Sequence, residues 1–162
     1  MKSRVLLVPL LTLLVLTATP RVAAADVTAF LGLTTTPTNR TAPGFALGFG
    51  LLIVGFEFEY SSTAEDPPSG APSLRTGSFN GLVQTPVAIA GMQFYATAGA
   101  GIYREVLASA AETNAAVNVG GGVKITVFGP IRLRIDYRVF KLSGSPLYSH
   151  SQRLYAGLNL KF

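Results

Sequence analysis

The 162-residue sequence has no cysteine and a single histidine. Without cysteine there can be no disulfide, no thiolate metal site and no lipoprotein anchor. One histidine leaves too few ligands for a conventional metal cluster, so neither a metal nor another cofactor is expected. Charge is scarce too, at 13% of residues against 49% hydrophobic. Yet beyond the first 25 residues no apolar run reaches the roughly 20 residues of a helical membrane span. A chain this greasy without helical spans is accounted for by strands that alternate apolar with small or polar residues, which cross a bilayer without a long hydrophobic run.

What is present begins with an export pattern. Lys2 and Arg4 precede an apolar stretch from Val5 to Leu16, bounded by Pro20 and followed by the small residues Val22, Ala23, Ala24 and Ala25. That order of basic, apolar and small-residue regions is a secretory signal peptide. It predicts a signal over residues 1–25 and a mature domain over 26–162. Removing it takes away Lys2, Arg4 and Arg21 and leaves ten basic residues against eight acidic. A balance so near neutral gives no reason to expect a nucleic-acid partner.

The plainest strand lies near the C-terminus, where Ile131, Leu133, Ile135, Tyr137 and Val139 alternate with Arg132, Arg134, Asp136 and Arg138. Period two without a fault over this stretch is a strand with two unlike faces. The final segment repeats it, with Leu154, Ala156, Leu158, Leu160 and Phe162 opposing Arg153, Tyr155, Gly157, Asn159 and Lys161. Further strands are predicted at 44–52, at 54–60 with Glu57 and Glu59 opposite Phe56 and Phe58, at 75–85, at 92–105 and at 114–127. Residues 26–35 supply an eighth, whose register stays open because Phe30 and Leu31 compete for the apolar face.

The breaks alternate in character. Segments 36–42, 62–74, 106–113 and 142–150 are longer and polar or rich in Pro, Ser and Thr, whereas 53–54 and 128–130 are tight and 85–90 is intermediate. Four longer loops on one side and three shorter turns on the other describe an all-β, eight-stranded antiparallel up-and-down transmembrane barrel with both termini on the turn side.

A water-soluble barrel also alternates, but it turns its apolar face inward and needs a polar exterior. Here the second face of 44–52 is Gly44, Ala46, Gly48, Gly50 and Leu52, a poor surface for water and a suitable one for a crowded lumen. The charges point the same way. An arginine facing lipid at the bilayer midplane costs roughly 2–4 kcal/mol, so Arg132, Arg134, Asp136 and Arg138 are expected inside. With Glu57, Glu59, Lys124 and Lys161 they are expected to form a lumenal ion-pair network. Phe45, Tyr60 and Tyr103 toward the loops, and Phe94, Phe128 and Phe162 toward the turns, suggest two interfacial aromatic belts.

The last eight residues, from Tyr155 through Gly157 and Leu160 to Phe162, resemble the C-terminal assembly signal of bacterial outer-membrane barrels. In that pattern hydrophobic residues stand three and five positions after a glycine and an aromatic ends the chain. The resemblance implies a biogenesis partner, the barrel-assembly machinery, and an integral location in an outer membrane among its lipids and lipopolysaccharide. The whole mature region resembles the superfamily of small eight-stranded outer-membrane proteins, OmpX-like proteins and the OmpA-type barrel domain among them. It departs from full-length OmpA-type proteins, because no peptidoglycan-binding domain is expected after the last strand.

Function is less legible. The favoured reading is a non-enzymatic envelope protein that adds structure or presents its loops to a surface partner. The enzymatic alternative rests on Tyr148-Ser149-His150-Ser151, where a histidine stands beside serines. Lipid A deacylase barrels, by resemblance, use His-x-Ser followed by a glutamate. Here Gln152 occupies the second position after His150, and adjacent strand residues point to opposite faces. A narrow diffusion pore and a soluble periplasmic lipid-binding barrel complete the alternatives.

Overall fold

The computed structural model describes residues 24–162, so the expected signal segment 1–25 lies almost wholly outside the described residues. Eight strands run in order: β1 (Ala24–Thr34), β2 (Arg40–Leu51), β3 (Val54–Thr63), β4 (Ser73–Gln84), β5 (Met92–Leu107), β6 (Ala110–Phe128), β7 (Ile131–Leu142) and β8 (His150–Lys161). Each pairs antiparallel with its sequence neighbours, and β1 pairs with β8 from Asp26↔Lys161 to Thr34↔Arg153. Closure leaves no sheet edge unpaired, the one way a sheet satisfies its backbone polar groups away from water. No helix among the described residues is long and apolar enough to cross a membrane; a barrel crosses with strands.

The two faces are inverted relative to a soluble barrel. Leu31, Leu47, Phe56, Phe79, Val83, Ile102, Val119 and Leu158 all point outward and are exposed, whereas Glu57, Arg134, Asp136 and Arg138 are buried inside. The apolar-inward arrangement of a soluble carrier is thereby excluded. Outward aromatics also pack on one another across the strands, Phe45 with Tyr60 at 5.8 Å and Phe49 with Phe56 at 5.3 Å between ring centres.

The open register of β1 resolves with Phe30 inside, 6% exposed, and Leu31 outside, 62% exposed. The neighbours decide it. Phe30 sits between Gly44 of β2 and Gly157 of β8. A Cβ on Gly44 would collide with its ring, and one on Gly157 would stand 2.7 Å from its own Cβ. With those glycines leaving room, its ring stacks on Tyr155 at 4.0 Å and 14°.

Three expectations need correction. The segment 106–113 is not a long loop: β5 and β6 continue as a hairpin as far as Leu107↔Ala110, leaving Ala108 and Ser109 as its tip. Strand pairing reaches the tip because a two-residue turn joins antiparallel strands directly. The first loop is likewise shorter than 36–42, since Arg40 to Pro43 belong to β2. Tyr103 does not join the outer aromatic belt. It lies inside, 1% exposed, because it shares the inward face of β5 with Tyr95 and Thr97.

Candidate functional site

The lumen is filled from the turn side upward by side chains in successive layers. At the turn-side end Asp26 accepts hydrogen bonds from Lys124 Nζ at 2.6 Å and Arg132 Nη2 at 3.1 Å. Arg132 also donates to Asn159 Oδ1 at 2.8 Å and Gln93 Oε1 at 3.2 Å. β7 places Arg132, Arg134, Asp136 and Arg138 on one face by its two-residue period, so each successive charge stands one layer higher.

The middle layer is the most connected. Arg134 binds both carboxylate oxygens of Glu57 and reaches Asp136 Oδ2 at 3.1 Å. Its Nε donates to Tyr95 OH at 2.7 Å, and that hydroxyl donates in turn to Asp136 Oδ2 at 2.5 Å. Arg138 donates to Asp136 Oδ1 at 2.9 Å and Glu57 Oε1 at 2.7 Å and stands 3.2 Å from Glu59 Oε2. Glu59 then accepts from Arg153, which also donates to Ser61. Gly122 of β6 makes room for the Tyr95 ring, since a Cβ there would stand 2.5 Å from the phenol oxygen.

Above the charges the lumen is mixed, with apolar side chains beside the buried Glu105, Thr76 and Ser151. Leu74, Tyr103, Ala116, Phe140 and Leu142 form a buried cluster at the loop-side end. The guanidinium of Arg153 bridges the two zones, lying 4.8 Å from the Phe140 ring centre and 5.3 Å from that of Phe30. This cation–π contact supplements its ionic partner.

Of the residues singled out from sequence, Glu57, Glu59, Lys124, Arg132, Arg134, Asp136 and Arg138 come together in the lumen. Lys161 does not: it lies exposed near the end of β8 and lines only the turn-side mouth. It sits too near the strand end for the barrel wall to enclose its ammonium group. Asp26 and Arg153 complete the network and were not assigned to it from sequence. Arg153 was legible, since it alternates in phase with Tyr155 and Asn159; Asp26 was hidden by the open register of β1.

The C-terminal segment splits between faces. Tyr155 is buried beside Phe30, Gly157 packs against the Phe30 Cα and Cβ, and Leu160 and Phe162 face outward. The Phe162 N–H donates to Ala25 O at 2.8 Å.

The lumen leaves little space. A cavity of about 50 Å³ opens at the turn side among Asp26, Gln84, Gln93, Lys124 and Arg132, enough for a water or two. His150 lies outside the barrel, its Nδ1 3.0 Å from Ser149 Oγ. Ser151 points the other way and is buried.

The chain matches no protein-family model and no curated protein sequence. Its fold matches solved barrels. The N-terminal β-barrel domain of Pseudomonas aeruginosa OprF superposes with a TM-score of 0.68 at 14% identity, over 86% of this chain and 98% of that one. Neisserial surface protein A superposes with a TM-score of 0.69 at 17% identity, over 86% and 96%. The outer membrane enzyme PagL superposes at 0.55 with 13% identity, over 83% and 98%. The chain thus has the fold of the small eight-stranded outer-membrane barrels.

Proposed function

We propose that this chain is a non-enzymatic integral protein of a bacterial outer membrane, a plugged barrel that contributes to envelope structure and offers its loop side to surface partners. The observation that carries the reading is the inversion of faces, with a continuous apolar exterior around a lumen of paired charges. Exposed apolar patches beyond a few hundred Å² are rare on soluble monomers. A bilayer removes that cost, and the lumenal charges then serve structure by binding the strands to one another across the barrel. The filled lumen favours a plug over a diffusion pore.

The test is to express the full chain with its own leader in a Gram-negative host and compare the mobility of boiled and unboiled outer membranes. Heat-modifiable migration in that fraction, reduced on deleting Phe162, is the expected result. Soluble, unmodified protein in the periplasm would overturn the reading.

The fold shared with the outer membrane enzyme PagL keeps a lipid-modifying activity as the second reading, and the contact between His150 and Ser149 is the feature that favours it. Against it, Ser151 faces the lumen, and no carboxylate forms an ion pair with His150 among the described residues. Acyl release from lipid A that is abolished in His150→Ala would establish that reading in place of the first.

A further inference from the structure

Arg132, Arg134, Arg138 and Arg153 each have a carboxylate partner in the lumen, but two arginines on the outside do not. Arg75 of β4 and Arg104 of β5 are direct cross-strand neighbours, both exposed on the outward face. Neither joins an ion pair among the described residues. Opposed residues in an antiparallel ladder hold their Cβ atoms roughly 5 Å apart, and like charges there destabilise the sheet. The same row continues to Ser62 of β3 on one side and Thr113 of β6 on the other, so two guanidinium groups are flanked by two hydroxyl-bearing residues.

The height of the row matters. One outward step toward the turns stand Gly77 and Ile102, then Phe79 and Ala100, all part of the apolar exterior. One step toward the loops stand Ser73 and Val106, and a cleft of about 360 Å³ opens there, lined by Ser73, Arg75, Arg104, Val106, Ala108 and Glu65. The arginines therefore mark the loop-side border of the apolar belt, at the level where lipid headgroups begin.

We propose that Arg75 and Arg104 form a binding site for the phosphate monoester of an anionic lipid headgroup in the outer leaflet. A phosphate accepts paired hydrogen bonds from guanidinium groups and neutralises both, turning a repulsive pair into an attractive three-body contact. The apolar surface below the row receives the lipid's acyl chains, which a free phosphate lacks. Glu65 also lines the cleft, without pairing with either arginine. The site rests on the outer-membrane reading of the barrel, which sets its orientation toward the outer leaflet.

The test uses protein extracted from host outer membranes in a neutral detergent, with bound lipid counted by native mass spectrometry. The probes are phosphatidic acid, phosphatidylcholine and inorganic phosphate. The native protein is expected to retain one phosphatidic acid in preference to phosphatidylcholine, unaffected by equimolar inorganic phosphate. The double variant Arg75→Gln/Arg104→Gln is expected to bind it on the order of a hundredfold more weakly, about tenfold for each guanidinium removed. Lys141→Gln, which removes an outward cation opposite His150 on β7 and β8, is expected to leave retention unchanged. Equal retention by the double variant with heat-modifiable mobility preserved would overturn the proposal, as would an equal drop in Lys141→Gln or displacement by inorganic phosphate. A native protein recovered only from the soluble fraction would instead overturn the outer-membrane reading itself, so the two failures are distinct.

Discussion

The middle of the lumen and its loop-side end solve one packing problem by opposite means. In the middle, charge fills the space: Glu57, Arg134, Asp136 and Arg138 are each no more than 1% exposed and hold one another by ion pairs and shared hydrogen bonds. At the loop-side end Leu74, Tyr103, Phe140 and Leu142 pack on one another, with Glu105 as the one carboxylate buried beside them. The inversion of a membrane barrel is therefore not uniform along its axis. Ion pairs gain strength as water is excluded, but leave a large penalty if one partner is removed. An apolar cap between the charges and the external solvent keeps water from competing for them.

The contrast can be tested at either zone, and the middle should respond most. Glu57→Leu removes the carboxylate that Arg134 and Arg138 share, leaving two buried guanidinium groups on Asp136 and Glu59 alone, and should cost about 3 kcal/mol, read as a lowered urea midpoint of the heat-modifiable species. Pairing it with Arg134→Met should recover part of that stability, because the remaining groups rebalance and the two sites are coupled. Failure of the double variant to exceed the single one would mean that the network is not a cooperative unit.

At the apolar end, Phe140→Ala should cost about 3 kcal/mol through the cavity it opens, in the same unfolding experiment. It should also speed deuterium exchange in the loop-side ends of β7 and β8, where water gains entry; an unchanged exchange pattern would argue that the cap does not shield the charges beneath.

Smaller effects belong to the loops fastened on that cap. Glu105 accepts the Leu147 N–H at 2.9 Å and Glu112 accepts the Ser145 N–H at 2.6 Å, so two carboxylates of the β5–β6 hairpin tie down the last loop. Glu105→Ala should cost about 1 kcal/mol and expose residues 143–149 to limited proteolysis. Intact cleavage resistance would show that the Tyr103 hydroxyl, which donates to Ser143 O at 2.6 Å, suffices to anchor the loop. The slightest change is a gain. Ala108 at the hairpin tip has φ of +53°, a region costing a non-glycine residue about 1 kcal/mol, so Ala108→Gly should raise the unfolding midpoint slightly.

Particular residues show where the sequence was readable. The alternating positions of 131–139 pointed to both the faces and the lumenal side of β7, because period two leaves only two orientations and lipid rejects the charged one. Glu57 and Glu59 were equally legible, standing beside phenylalanines of opposite phase. Tyr103 was harder: its phase on β5 was visible, yet its aromatic character suggested the membrane interface. The hairpin 106–113 looked like a loop because Ala108 to Ala111 are small and Glu112 and Thr113 polar. Those are properties of a ladder standing above the bilayer just as much as of a loop, and composition does not separate the two.

Local period and the cost of placing charge in lipid were enough to set the alternation of faces, the number of strands and the sorting of most charges to the lumen. Which carboxylate meets which arginine was settled at the level of the closed barrel. So was the entry of Asp26 and Arg153 into the network, the exclusion of Lys161 from it, and the inward turn of Phe30. Each of those depends on the stagger of neighbouring strands around a closed sheet, where Gly44 and Gly157 come to face Phe30 from either side. That stagger is fixed by the fit of the whole ring, and no single strand carries it.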